Sequence, residues 1–186
     1  MIFNRHSELA GLHSFLSASK YHWINYSEEK LDRMYIANQA AVRGTELHAL
    51  AAEMIRLKVK PQKTKQTLNM YVNDCIGYHM TPEQVLFYSD NAFGTADAVG
   101  FRANRLRIFD LKTGAIPGSV HQLEVYAAYF CLEYRFKPVD IEIELRLYQH
   151  NDVQIFEGDP LVITQIMSTL ISFDKRITAL RMEALS

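Results

Sequence analysis

Three residues carry the chemistry that stands out in this sequence: Asp97, Asp110 and Lys112. They sit in two runs, Gly94-Thr95-Ala96-Asp97-Ala98-Val99-Gly100-Phe101 and Ile108-Phe109-Asp110-Leu111-Lys112-Thr113-Gly114. In a strand, residues two apart point the same way, so Asp110 and Lys112 share a face and Leu111 takes the other. Between the runs, Arg102-Ala103-Asn104-Arg105 is polar and suits a hairpin turn. If that turn pairs Phe101 with Leu106, counting outward sets Ala98 opposite Phe109 and Asp97 opposite Asp110. Opposite residues hold their Cβ atoms roughly 4.5–5.5 Å apart on one side of the sheet. Two carboxylates that close repel unless a cation lies between them. A hard divalent ion, magnesium or manganese, prefers such oxygen ligands. Lys112 would then reach a substrate phosphate, which completes the parts needed to hydrolyse a phosphodiester. The competing reading is a surface salt-bridge cluster on a hairpin.

The elements that must position these residues follow from periodicity. Apolar residues recur at helical spacing from about 28 to 58, with Gly44 and Thr45 as a weak point that leaves one helix or two. Pro61 ends this run. A second helix is expected over about 63–78. Thr81 and Pro82 read as the start of a short helical turn, or as a loop before a strand. Strands are expected from Val85 to Tyr88, Thr95 to Phe101 and Leu106 to Leu111. Ser119 to Phe136 is an amphipathic helix, ended by Pro138. Val139 to Tyr148 alternates, with Ile141, Ile143, Leu145 and Leu147 on one face and Glu142, Glu144, Arg146 and Tyr148 on the other. Val153 to Phe156 returns, and Asp159-Pro160 opens a C-terminal helix reaching about Glu183. This order predicts an α/β fold, a central mixed sheet flanked by helices.

Composition sets the bounds. The chain has 186 residues, 48% of them hydrophobic and 22% charged, enough for a substantial core and ordinary for a globular protein. No stretch is apolar for long enough to cross a bilayer, so no membrane partner is expected. The two cysteines, Cys75 and Cys131, are far apart and read as free intracellular thiols, which places the protein in the cytoplasm. A net charge of −1 argues against a protein coated in nucleic acid, though it leaves room for a local basic track. Two candidates exist: Arg56, Lys58, Lys60, Lys63 and Lys65, and then Arg102, Arg105 and Arg107. Each alone reads equally well as a solvated helix end or hairpin tip.

Taken together, Gly94-x-x-Asp97, Ile108-x-Asp110-x-Lys112-Thr113-Gly114 and Gln122-x-x-x-Tyr126 resemble the RecB-type branch of the PD-(D/E)XK nuclease superfamily. Upstream, Arg43-Gly44-Thr45-Glu46-Leu47-His48 resembles that branch's helical motif, and Ser17-Ala18-Ser19 its Ser-x-Ser opening. The resemblance implies a restriction-endonuclease-like core over 1–186. A helical part spans 1–80, the catalytic β-meander and following helix 85–136, and strands with a C-terminal helix 139–184. It also implies that Asp97, Asp110, His48 and the Leu111 carbonyl are metal ligands, and that Lys112 positions the attacking water. Gln122 and Tyr126 would orient Lys112 or the DNA backbone. A bare histidine on such a helix is more often structural, and the other six histidines are read so, lacking a carboxylate or cysteine at ligand spacing. Iron–sulfur members of the branch carry four cysteines; with two, no cluster is expected.

These readings converge on a magnesium- or manganese-dependent DNA exonuclease of recombination, repair or phage DNA processing, in a bacterial or phage-infected cell. DNA is the expected partner, with a homo-oligomer and a recombination protein as further partners. Two rivals stand beside it: a catalytically inactive nuclease-like DNA-binding or adaptor protein, and a structure-selective endonuclease of the same superfamily.

Overall fold

The computed structural model describes Ser7 and residues 14–184. Contacts divide the chain into two compact units, residues 1–45 and 46–186. In the first, a 3-10 stretch, Ala18–Asn25, precedes a long helix. The Trp23 indole N–H donates to the Ser17 carbonyl at 3.0 Å, and the hydroxyls of Ser17 and Ser19 lie 3.2 Å apart. His6 and His13 lie outside the described residues.

Helix α1, Glu28–Leu57, is continuous, so Gly44 and Thr45 do not break it. Thr45 turns its hydroxyl back onto the Ala41 carbonyl (3.2 Å), which satisfies a polar side chain without leaving helical geometry. Helix α2, Thr67–Gly77, follows a loop. The sheet then builds as β1 (Thr81–Ser89), β2 (Ala92–Arg102) and β3 (Arg105–Leu111). Helix α3, Val120–Tyr134, crosses to β4 (Glu142–Gln149) and β5 (Asp152–Glu157), and α4, Pro160–Glu183, ends the described chain. The strand order is β1-β2-β3-β4-β5, antiparallel throughout except for the parallel β3–β4 pair that α3 bridges. The expected mixed α/β sheet with flanking helices is therefore observed.

Some element bounds differ from expectation. The second helix begins at Thr67 rather than Lys63. Pro138–Asp140 forms a 3-10 turn, so β4 begins at Glu142 rather than Val139. Strand β1 begins earlier than Val85. Thr81 and Pro82 start no helical turn; they open β1, paired with Val99 and Ala98. An edge strand tolerates proline because its outer N–H positions need no partner, and β1 is an edge.

The hairpin turn behaves as its residues dictate. Ala103 and Asn104 both take left-handed backbone (φ 49° and 59°), the two-residue geometry that matches strand twist. Phe101 thereby pairs with Leu106 and Ala98 with Phe109, the register counted from sequence. Ser119 caps α3 by accepting from His121 N, and Asp159 caps α4 by accepting from Leu161 N.

The core lies on both faces of the sheet. Leu106, Ile108, Leu145 and Leu147 pack with Leu123, Ala127 and Ala128 of α3 and Ile163 of α4. Phe109, Leu111 and Tyr148 pack on the other face with Tyr71, Val72 and Cys75 of α2 and with Ala51 and Ile55 of α1. The charged side of β4 is consequently not all solvated. Arg146 is buried, donating to Asp74 (3.0 Å), with its guanidinium 4.8 Å from the Phe109 ring centroid. Tyr148 closes the group by donating to Asp74 at 2.7 Å. A buried guanidinium tolerates this position because its donors are met and its flat face stacks on aromatic rings.

A candidate metal and phosphate site

Asp110 sits one residue from the end of β3, a central strand, and is 3% exposed. Burying a carboxylate is costly unless something compensates its charge. Lys112 supplies part of that: its Nζ lies 2.9 Å from Asp110 Oδ2 and donates to Oδ1 at 3.2 Å. Among the described residues, Oδ2 takes no hydrogen bond of acceptable geometry. Burial, and then the neighbouring Asp97 carboxylate, push the Asp110 pKa above the ordinary carboxylate value. A buried acceptor with a spare lone pair beside a second carboxylate is the environment that a cation relieves.

Asp97 follows directly from the hairpin register. One residue beyond the Ala98–Phe109 pair, its Oδ2 accepts from the Leu111 N–H at 2.8 Å, which locks the side chain against β3. Leu111 thus enters the site through its backbone N–H, and its side chain is buried. On α1, His48 places Nδ1 3.3 Å from Asp97 Oδ1. The hydrogen-bonding attraction of Asp97 raises the His48 pKa above its ordinary value, against the opposing effect of burial.

Glu83 is the member that sequence reading missed. One ligand atom each from His48, Glu83 and Asp97 lie within 4.8 Å of one another, a spacing suited to a shared ion. Asp110 is not among those three; its carboxylate is paired with Lys112. Glu83 lies on β1 between Pro82 and Gln84, which pair with Ala98 and Ala96, and this places it across from Asp97. Its backbone is left-handed (φ 51°), unusual for a glutamate in a strand. The signal was recoverable: had β1 been extended back through Pro82 as an edge strand, Glu83 would have fallen opposite Asp97.

Helix α3 holds the lysine. Lys112 Nζ donates to Gln122 Oε1 (2.8 Å), Gln122 Nε2 to the Tyr126 hydroxyl (3.4 Å), and Tyr126 to the Thr95 carbonyl (2.7 Å). The i, i+4 spacing expected on one helical face therefore forms a chain of hydrogen bonds from Lys112 back to β2. Two glycines permit the close approaches. A Cβ on Gly94 would sit 3.1 Å from Tyr126 Cε1, and one on Gly118 would sit 3.0 Å from Lys112 Cγ. Gln149, at the end of β4, fastens the loop that follows the lysine. Its Nε2 donates to the carbonyls of Gly114 (2.8 Å) and Ile116 (2.7 Å), and its Oε1 accepts from Gly118 N (3.0 Å).

The structure thus brings His48, Asp97, Asp110, Lys112, Gln122 and Tyr126 into one neighbourhood and adds Glu83. It corrects one of the remaining histidines: His121 does have a carboxylate partner, Glu124 Oε2 at 2.7 Å, one helical turn away. Its side chain is 82% exposed, so the pair lies at the surface of α3. Chemically, the site offers a buried and a half-buried carboxylate, an imidazole, a third carboxylate and a fixed ammonium. The donor set of His48, Glu83 and Asp97, an imidazole and two carboxylates with ligand atoms within 4.8 Å of one another, is of a kind that fits a divalent cation. Neither the models of known protein families nor the curated proteins give a match to this chain.

Proposed function

We propose that this chain is a divalent-metal-dependent deoxyribonuclease, a RecB-type exonuclease of the PD-(D/E)XK superfamily with a restriction-endonuclease-like core. The observation that carries the reading is Asp97, one residue beyond the Ala98–Phe109 pair and bonded to the Leu111 N–H, next to Asp110 and a lysine that α3 holds through Gln122 and Tyr126. Magnesium or manganese, when bound, would supply an activated water and neutralise phosphate charge.

The protein's own residues do the rest. Asp97, Asp110, His48 and Glu83 would hold the ion, with the Leu111 carbonyl as a further ligand. Lys112 would place its ammonium where negative charge builds on the scissile phosphate, and Gln122 and Tyr126 would keep it from swinging away. DNA recombination, repair or phage DNA processing in the cytoplasm suits such an activity, with a homo-oligomer and a recombination protein as partners. One observation favours the adaptor reading: the Lys112–Asp110 and His48–Asp97 pairs satisfy part of the charge without any cation. Manganese calorimetry separates the two, because an adaptor need not hold the ion.

The experiment is digestion of end-labelled linear DNA with magnesium, with manganese, and with chelator. Hydrolysis is expected only with metal, and Lys112→Ala is expected to slow it by about 10²–10³-fold, the usual cost of losing a charge-stabilising donor. Covalently closed circles are expected to survive, since an exonuclease needs an end. Hydrolysis in chelator, or an unimpaired Lys112→Ala, would overturn the assignment.

A further inference from the structure

We infer that the segment Arg56–Lys65 is a rail for the DNA phosphate backbone, an inference that rests on the nuclease reading and names how its substrate is held. The ten residues carry five cations and no acid, a local charge of +5 in a chain of net −1, so everything else sums to −6. Lys58, Lys60, Lys63 and Lys65 are exposed, and among the described residues none has an ion-pair partner. Among the described residues, Arg56 makes one ion-pair contact, with Glu53 at 3.9 Å.

The other basic track shows the contrast. Arg105 is paired with Glu142 and Arg107 with Glu144, so their charge is spent within the sheet. Unpaired lysines crowded on one loop repel each other, and a polyanion relieves that repulsion while releasing its own counterions.

The loop is built rather than loose. Asn73 Nδ2 donates to the Pro61 carbonyl (3.2 Å), and Asn69 Nδ2 donates to the Gln62 carbonyl (3.1 Å) and to Thr64 Oγ1 (2.9 Å). Val59 N closes the helix end on the Met54 carbonyl, with Lys58 in left-handed backbone (φ 56°). Lysines on an ordered backbone lose less entropy on meeting phosphates than lysines on a floppy tail.

Two connections tie the rail to the site. At one end, α1 runs from His48 to the rail, and Lys58 is ten residues on, about 15 Å along the helix. That equals about four nucleotides of strand rise. At the other end, Thr67 N and Oγ1 donate to Asn151 Oδ1 (3.1 and 3.3 Å), and Asn151 N donates back to Thr67 Oγ1 (2.8 Å). Asn151 lies in the β4–β5 turn, and β4 ends beside Lys112, whose N–H donates to the Tyr148 carbonyl. The rail and the catalytic groups therefore occupy the same end of the sheet. Phosphate contacts of this kind position a strand without reading its sequence.

The test measures binding of a fluorescein-labelled DNA duplex by anisotropy, in chelator, between about 50 and 200 mM salt. Three proteins are compared. One is the wild type. A second carries Lys58→Gln, Lys60→Gln, Lys63→Gln and Lys65→Gln. A third carries Arg33→Gln, Lys137→Gln, Lys175→Gln and Arg181→Gln, which removes the same charge elsewhere. The rail variant is expected to flatten the log–log salt slope by about 0.9 for each lysine that meets a phosphate, and the matched variant to leave it unchanged. Should the fourfold variant fail to fold by circular dichroism, Lys63→Gln with Lys65→Gln is read instead, with half the effect. Equal losses in both variants, or none in the rail variant, overturn the rail even if the wild type hydrolyses DNA. A flattened slope in a protein that hydrolyses nothing leaves the rail standing and removes the nuclease reading. A wild type that binds no DNA at low salt removes the rail.

Discussion

Replacing Asp110 with asparagine is expected to abolish metal-dependent DNA hydrolysis while raising the melting temperature of the metal-free protein. The two effects have one cause. Asp110 is buried beside Asp97, and its pKa lies above the ordinary carboxylate value chiefly because burial penalises the charge. A carboxyl whose folded pKa is raised binds its proton more tightly folded than unfolded, so stability falls as pH rises through that value. Whenever it is ionised, this incompletely bonded carboxylate therefore costs the metal-free fold stability. Asparagine keeps an acceptor for Lys112 and removes the charge. A gain of about 1 kcal/mol in a chain of this size moves Tm by about 2–4 °C.

The same substitution removes an anionic ligand and the partner of Lys112, so hydrolysis is expected to fall at least about 10²–10³-fold. Calorimetry and a DNA digestion assay on one preparation read both. Retained activity contradicts the catalytic role; a lowered melting temperature contradicts the electrostatic account of the buried carboxylate.

Manganese affinity is expected to rise steeply with pH through the weakly acidic and neutral range. A metal ligand must be deprotonated, and His48 holds its proton above the ordinary imidazole range because Asp97 attracts it. Asp110 also holds its proton above the ordinary carboxylate range. Below the His48 pKa, each displaced proton costs up to about tenfold in affinity per pH unit. Titration calorimetry from pH 5.5 to 8, in buffers of different ionisation enthalpy, reads both the slope and the protons released. His48→Gln is expected to flatten the upper part of the curve, while the lower, carboxylate-dependent part persists. An affinity that does not change with pH would mean that neither group meets the ion.

Much of this geometry was legible in the sequence because it rests on short-range rules. The turn at Ala103-Asn104 needs two left-handed residues, and that alone fixes which residues of β2 and β3 face each other. The period-two alternation of β3 put Asp110 and Lys112 on one side, and helical spacing put Gln122 and Tyr126 on one face of α3. What stayed hidden depends on contacts between distant segments. Glu83 was obscured because Thr81-Pro82 resembles a helix start in isolation, and only pairing with β2 reveals it as an edge strand. Gln149 gives no local sign of its three bonds to the loop after Lys112, since that loop is brought to it by the parallel β3–β4 pairing. Alternation put Arg146 and Tyr148 on one face with Glu142 and Glu144, but it gives no sign that α2 carries Asp74 to meet them and that they are buried there.

The most direct measurement is anomalous scattering from a crystal soaked in manganese. The account predicts a peak bonded to carboxylate oxygens of Asp97 and Asp110, at the roughly 2 Å typical of small hard cations. His48 or Glu83 would complete the shell, and Lys112 would turn from Asp110 toward the open side. A crystal whose only manganese lies elsewhere, with the Lys112–Asp110 pair unmoved, would contradict it.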